Sequence, residues 1–157
     1  MQIPQLEKHY YRSGILHRIE FYADRKRYGV TKSYYESGIL KWETPYINDE
    51  RHGIVKDHYM SGDLASAKPF MNGKIQGTIK DFCESGALEC ETPCENGQLH
   101  GIKKVYYETG ILKWETSYIN GKISGIENNY QKSGVPAPNT KADRKHWADN
   151  IAASENL

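Results

Sequence analysis

Glu36–Tyr59 reads ESGILKWETPYINDERHGIVKDHY, and Glu108–Tyr130 reads ETGILKWETSYINGKISGIENNY. The two segments start 72 residues apart, which is three periods of 24. The same period orders all 14 glycines of the chain into three columns. One column is Gly14, Gly38, Gly62, Gly86, Gly110 and Gly134; a second is Gly29, Gly53, Gly77, Gly101 and Gly125; the third is Gly73, Gly97 and Gly121. A fixed period without insertions marks stacked copies of one supersecondary unit.

The punctuation within each copy defines that unit. Asn72-Gly73, Asn96-Gly97 and Asn120-Gly121 are strong two-residue hairpin signals, and Asp24-Arg25 and Asn48-Asp49 hold the same place with weaker chemistry. Ser37-Gly38, Ser61-Gly62, Ser85-Gly86 and Thr109-Gly110 mark the opposite turn. The runs between turns are rich in Tyr, Ile, Val, Thr and Trp, which suit strands, and no run escapes Gly or Pro long enough to favour a helix. Each 24-residue unit therefore reads as one β-hairpin. The chain reads as an all-β, elongated, single-layer antiparallel meander of such hairpins. Ten or so strands at roughly 4.8 Å spacing span on the order of 50 Å.

Two-residue turns would fix the register. Across Ser37-Gly38 they place Tyr35 opposite Leu40, Ser33 opposite Trp42 and Lys32 opposite Glu43; across Asn48-Asp49 they place Thr44 opposite Gly53. One face then carries Leu40, Trp42, Thr44, Tyr46, Gly53, Val55 and Tyr59, and the other carries Ile39, Lys41, Glu43, Ile54, Lys56 and His58. The scheme also sets Lys80 against Glu91 and Lys104 against Glu115, pairs worth roughly 0.2–1 kcal/mol each. Trp42 and Tyr46 would lie diagonally beside Gly53, as aromatic cover for a bare strand position. Pro45, Pro69 and Pro93 share a column and cannot donate to a ladder, so a recurrent bulge or unpaired position is expected there.

Composition narrows the functional classes. The chain has 157 residues, 38% hydrophobic content, and a formal net charge of +1. Its mean hydropathy of −0.78 leaves no thick core, as expected where each unit buries surface against its neighbours. The near-neutral balance argues against a nucleic-acid partner or an anionic membrane surface. No signal peptide or transmembrane run is evident, and three cysteines suit a reduced cytoplasmic setting better than a disulfide framework.

The copies differ where function can be written. The column Arg18, Trp42, Ser66, Cys90, Trp114 varies most; its neighbours read Tyr22, Tyr46, Phe70, Cys94, Tyr118 and Tyr11, Tyr35, Tyr59, Cys83, Tyr107. Cys83, Cys90 and Cys94 read either as a metal or redox site or as small apolar substitutes in aromatic positions; spacings of seven and four fit no common zinc pattern. With Ser66 and Ala67, the substitutes would make a thinner saddle between aromatic ends. Trp42 and Trp114 read either as cover for neighbouring backbone or as anchors for a partner. The six histidines show no ligand-like grouping. No nucleophile elbow, phosphate loop, dinucleotide fingerprint or zincin helix occurs, so no catalytic residue, metal ligand or cofactor is assigned.

Residues 1–134 thus read as the repeat domain, and 135–157 as a Pro-containing linker and short helix. Thr140 to Asp143 resembles a capping box, and Ala142–Ser154 sets Trp147 and Ile151 four apart. That helix reads either as a cap on the sheet or as a partner-binding arm.

The repeated Tyr-Glu-Ser-Gly, Asn-Gly, and Gly before Ile or Val resemble the MORN-repeat variant found in many bacterial proteins, over roughly residues 9 to 134. Proteins of these repeats are often grouped as YwqK-like antitoxin or immunity components. The resemblance implies a non-enzymatic cytoplasmic protein that occludes a cognate toxin, with a scaffold or membrane-associated assembly protein as the alternative. On this reading Trp42, Tyr46, Tyr59, Trp114 and Tyr118 supply anchors, and Glu43, Lys56, Lys104 and Glu115 supply charge matching from the other face or rim. Exposed sheet edges also permit a homo-oligomer.

Overall fold

The computed structural model describes residues 5–125 and 127–137. The helix expected over Ala142–Ser154, and with it the choice between cap and arm, lies outside these residues. The described chain is all-β: 17 strand segments form one antiparallel sheet, and each long strand pairs with its long neighbours in sequence. It is the meander that the glycine columns predict.

One unit shows how the sequence builds it. The eight-residue strand Leu40–Ile47 turns at Asn48-Asp49 into the short strand Glu50–Arg51. After a break at His52, the chain continues as Gly53–His58, and a loop then leads to Leu64–Met71. Asn48 has φ 51° and Asp49 φ 70°, and Asp24-Arg25 is likewise positive at both central positions, as a type I′ turn demands.

The opposite turn differs from expectation. Tyr35 N donates to Ile39 O at 2.8 Å and Gly38 N to Tyr35 O at 2.9 Å, so Glu36, Ser37 and Gly38 form a three-residue loop. Gly38 alone of these takes a left-handed φ, 84°, which is a type I turn followed by a bulged glycine. Ser37 lacks the positive φ that a two-residue primed turn would need. Leu40 consequently faces Tyr34 and not Tyr35. The register then shifts by one residue between Ser33 and Tyr34, which restores the expected pairs Ser33–Trp42 and Lys32–Glu43.

A second irregularity falls at the proline column, as expected. Ile47 and Tyr46 face Glu50 and Arg51, but Glu43 and Trp42 face Lys56 and Asp57. Two extra residues are thus accommodated between Arg51 and Lys56, and Thr44 does not face Gly53. At the break Pro45 accepts a hydrogen bond from His52 N at 3.0 Å, and Pro69 and Pro93 do the same with Gln76 and His100. Because no ladder bond is drawn from the proline nitrogen there, the ring fits without an orphaned acceptor. Gly53 is required beside it: its φ is 115°, and a Cβ would lie 2.9 Å from Pro45 Cγ.

The shift of two keeps the faces that the sequence predicts. The buried side chains Thr31, Ser33, Thr44, Val55, Ser66, Phe70, Cys90, Thr92, Cys94 and Thr116 share one face with the tryptophans. Most are small, and two of them sit between aromatic rings: Thr44 lies between Trp42 and Tyr46, and Thr116 between Trp114 and Tyr118. Aromatic cover of strand glycines also occurs, but across the other strand pair. Tyr46 faces Gly29, Phe70 faces Gly53 and Tyr118 faces Gly101.

A tyrosine relay ties the units together. The hydroxyls of Tyr11, Tyr35, Tyr59 and Tyr107 donate to the carbonyls of Tyr34, His58, Phe82 and Tyr130, at 2.6, 2.8, 2.6 and 2.9 Å. Cys83 occupies the fourth position of this column and carries no hydroxyl. Pairing at the C-terminal end runs to Pro136–Ala137, which lies beside Asn128–Tyr130.

Candidate protein-binding faces

The register sorts the nine candidate residues onto the two faces. Trp42, Tyr46, Trp114 and Tyr118 lie on the face of small buried side chains, all half-buried. Trp42 stands opposite Ser33 and Asp57, and Trp114 opposite Val105 and Asn129. Six strand steps separate them, roughly 29 Å at 4.8 Å per strand. Between them the row passes through Asp57, Ser66, Asp81, Cys90 and Val105. The expected saddle is not an open notch, because Ser66, Cys90 and Cys94 are all buried.

Several of these aromatics also serve the fold. Arg27 Cζ sits 4.1 Å over the Tyr46 ring, and Lys103 Nζ 5.6 Å from the Trp114 centroid. Tyr59 is set apart from the other four: it stands at the loop, its hydroxyl donating to Phe82 O, and its role there is the relay.

Glu43, Lys56, Lys104 and Glu115 lie on the opposite face. They belong to one row that crosses the sheet from strand to strand: Lys8, Ile19, Lys32, Glu43, Lys56, Ala67, Lys80, Glu91, Lys104, Glu115 and Asn128. Lys56 Nζ is 2.9 Å from Glu43 Oε1, and this hydrogen bond holds the Glu43 carboxyl below its ordinary range. Lys80 reaches Glu91 at 3.7 Å. Glu91 also accepts from the Tyr106 hydroxyl at 2.8 Å, and Glu115 from the Tyr130 hydroxyl at 3.1 Å. Burial, then the Glu91 hydrogen bond, pushes the Tyr106 phenol up to about 12.

Parallel to this charged row runs an apolar one. Its strand pairs are Leu6–Phe21, Val30–Pro45, Ile54–Pro69, Thr78–Pro93 and Ile102–Ser117. Leu6, Phe21, Val30, Ile54 and Ile102 are all exposed. In the sequence the prolines stand out as ladder breakers; the register makes them part of a surface.

One further cluster is not evident from the sequence pattern. Glu7, His9 and Glu20 bring their ligand atoms within 4.8 Å of one another. The pairs Glu7–Glu20 and His9–Arg18 of the first hairpin carry the signal that would reveal it. His9 Nε2 lies 3.1 Å and Arg18 Nη2 3.0 Å from the same Glu20 oxygen. A guanidinium already neutralises that buried carboxylate and would repel a second cation, so the cluster reads as an ion-pair network closing the first hairpin.

Residues 27–48 and 99–120 match the family model of the MORN repeat variant. The two matches begin 72 residues apart and so fall in the same phase of the 24-residue period. MORN repeats are in general protein- or membrane-binding modules. No curated protein matches the chain.

Proposed function

We propose that this chain is a non-enzymatic protein-binding module of the antitoxin or immunity kind, which neutralises a cognate protein toxin by steric occlusion. The observation that carries this reading is the pair Trp42 and Trp114. They occupy equivalent positions three units apart on one face, each half-buried, with Tyr46 and Tyr118 beside them. Tryptophan and tyrosine dominate binding energy at interfaces, and a footprint near 30 Å across is what a standard interface of ~800 Å² per partner needs. All three cysteines are free, which suits a reducing cytoplasm.

Affinity capture from the native host tests the proposal. A toxic protein should be recovered, its toxicity should be relieved by co-expression, and the double variant Trp42→Ala/Trp114→Ala should lose both effects while staying folded. Failure to recover any protein that harms the host on its own counts against this function. A second reading, a scaffold of copies joined edge to edge, is favoured by the strand Gln5–Tyr10, which pairs on one side only among the described residues. Light scattering separates the two, since a monomer at high concentration excludes assembly.

A further inference from the structure

The face away from the tryptophans carries a second feature, which repeats. A depression of about 310 Å³ is lined by Thr78, Glu91, Pro93, Ile102 and Lys104. A smaller one of about 80 Å³ is lined by Ile102, Glu115, Thr116, Ser117 and Asn128. Adding 24 to Thr78, Glu91, Pro93 and Lys104 gives Ile102, Glu115, Ser117 and Asn128. The second depression is therefore the first moved along by one unit. Both lie where the apolar row adjoins the charged row, and both rows run across the strands along the length of the sheet.

A partner that uses such a track must repeat at the spacing of the units. One unit adds two strands, about 9.6 Å. A polyproline II segment rises about 3.1 Å per residue with three residues per turn, so every third side chain returns to the same side after about 9.3 Å. An α-helix advances about 5.4 Å per turn and would present a different side at each unit. An extended strand takes about three residues per unit, but its side chains alternate, so successive units would meet opposite sides. Polyproline II alone among the regular conformations offers one equivalent side chain to each unit. Its backbone needs no partner for its own hydrogen bonds, so it can bend with the twist of the sheet.

Charge sets the second requirement. Each of the first five units contributes one lysine to the charged row, while carboxylates occupy only three of the intervening positions: Glu43, Glu91 and Glu115. Ile19 and Ala67 stand where the other two would be. Lys32 and Lys104 form no ion pair within 4.0 Å among the described residues. We infer that this face is a second binding surface, for an extended polyproline II segment that carries an apolar residue at every third position and an acidic residue beside it. The apolar side chains would seat along Ile54, Pro69, Pro93 and Ile102, and the carboxylates against Lys32 and Lys104, lysines of the row that no carboxylate among the described residues engages. This surface lies away from the tryptophan face, and its test needs no toxin.

The test uses the full chain and a fluorescein-labelled (Pro-Glu-Leu)5 peptide, followed by anisotropy. Saturable binding is expected that weakens roughly tenfold for a peptide of the same composition with the threefold order scrambled. It should weaken by a similar factor for Ile54→Asp/Ile102→Asp, whose urea midpoint serves as the folding control, because both side chains are exposed. Lys32→Glu/Lys104→Glu, with the same urea control, should lower affinity for (Pro-Glu-Leu)5 and raise it for (Pro-Lys-Leu)5. Trp114→Ala, on the other face, should leave binding unchanged. Equal affinity for the ordered and scrambled peptides, or no saturation at millimolar peptide, overturns the inference. So does co-sedimentation with anionic phospholipid vesicles that Ile54→Asp/Ile102→Asp abolishes while the peptide fails to bind, since the face would then belong to a membrane.

Discussion

Replacing Gly53 by alanine probes the contact that sets the shape of the unit. Two costs should appear together. The backbone at Gly53 has φ 115°, where an L-residue is strained, for roughly 1–2 kcal/mol. The new methyl would also sit 2.9 Å from Pro45 Cγ and 3.4 Å from its Cβ, and a proline ring cannot rotate away. Overpacking of that kind adds about 1–3 kcal/mol. Gly38 separates the two contributions, because it has φ 84° and a methyl added there would meet nothing within 4 Å. Gly38→Ala should therefore cost only the strain, roughly 1–2 kcal/mol. Urea melts followed by tryptophan fluorescence should show Gly53→Ala destabilised by about 1–3 kcal/mol more than Gly38→Ala, a midpoint difference of roughly 0.5–1.5 M. In a Pro45→Ala background most of that excess should vanish, a coupling of about 1–2 kcal/mol. Equal losses for the two glycines, or additivity with Pro45→Ala, would refute the packing argument and leave only backbone strain.

Three other outcomes follow from the same geometry. Arg25 holds φ 62° at the second central position of its type I′ turn, a left-handed conformation that glycine adopts without strain; Arg25→Gly should stabilise the chain by about 1 kcal/mol in urea melts. Tyr35→Phe deletes the hydroxyl that reaches His58 O at 2.8 Å, and should cost about 0.5–1.5 kcal/mol, whereas Tyr10→Phe, at an exposed position outside the relay, should cost nothing measurable. The Tyr106 phenol is raised to about 12 in the folded chain against 10.0 for an ordinary tyrosine, so it favours the neutral form on folding. Its contribution is complete below pH 10 and is lost as pH rises from there through 12, and a tyrosinate absorbance titration should lose its latest-ionising step in Tyr106→Phe.

The period, the two faces and the Asn-Gly turns are legible in the sequence because each rests on a single residue type whose backbone or polarity leaves few choices. Asn followed by Gly accepts two positive φ values, and alternation then decides which side chains share a face. The Ser-Gly turn is ambiguous because glycine at one position is compatible with two loop lengths. Only the hydrogen bond from Tyr35 N to Ile39 O distinguishes them. The pairing of Gly53 departs from expectation for a related reason. The proline column announces a break, but a sequence does not say how many residues a break absorbs, and two extra residues move Gly53 out of line with Thr44. In the sequence Tyr11, Tyr35, Tyr59 and Tyr107 show only as a column, with Tyr59 an anchor, because their partners are carbonyls, which every residue possesses and no sequence pattern displays.

The same limits hide the second face as a surface. From the sequence, each Lys–Glu match is a cross-strand pair supporting the register, and each proline is an interruption. Once the pairs are chained from Lys8 to Asn128 they form one continuous row, and the prolines with Val30, Ile54 and Ile102 form another beside it. The fold needs neither row to be apolar or basic, because the side chains it buries lie on the tryptophan face. An isoleucine or valine at Ile102, Ile54 and Val30 gains little burial there, and a polar β-former would pair as well: Thr78 does so in the fourth register position of the same row. On the second binding surface proposed above, these exposed apolar side chains would serve a partner, and their regular spacing would require that partner to be periodic as well.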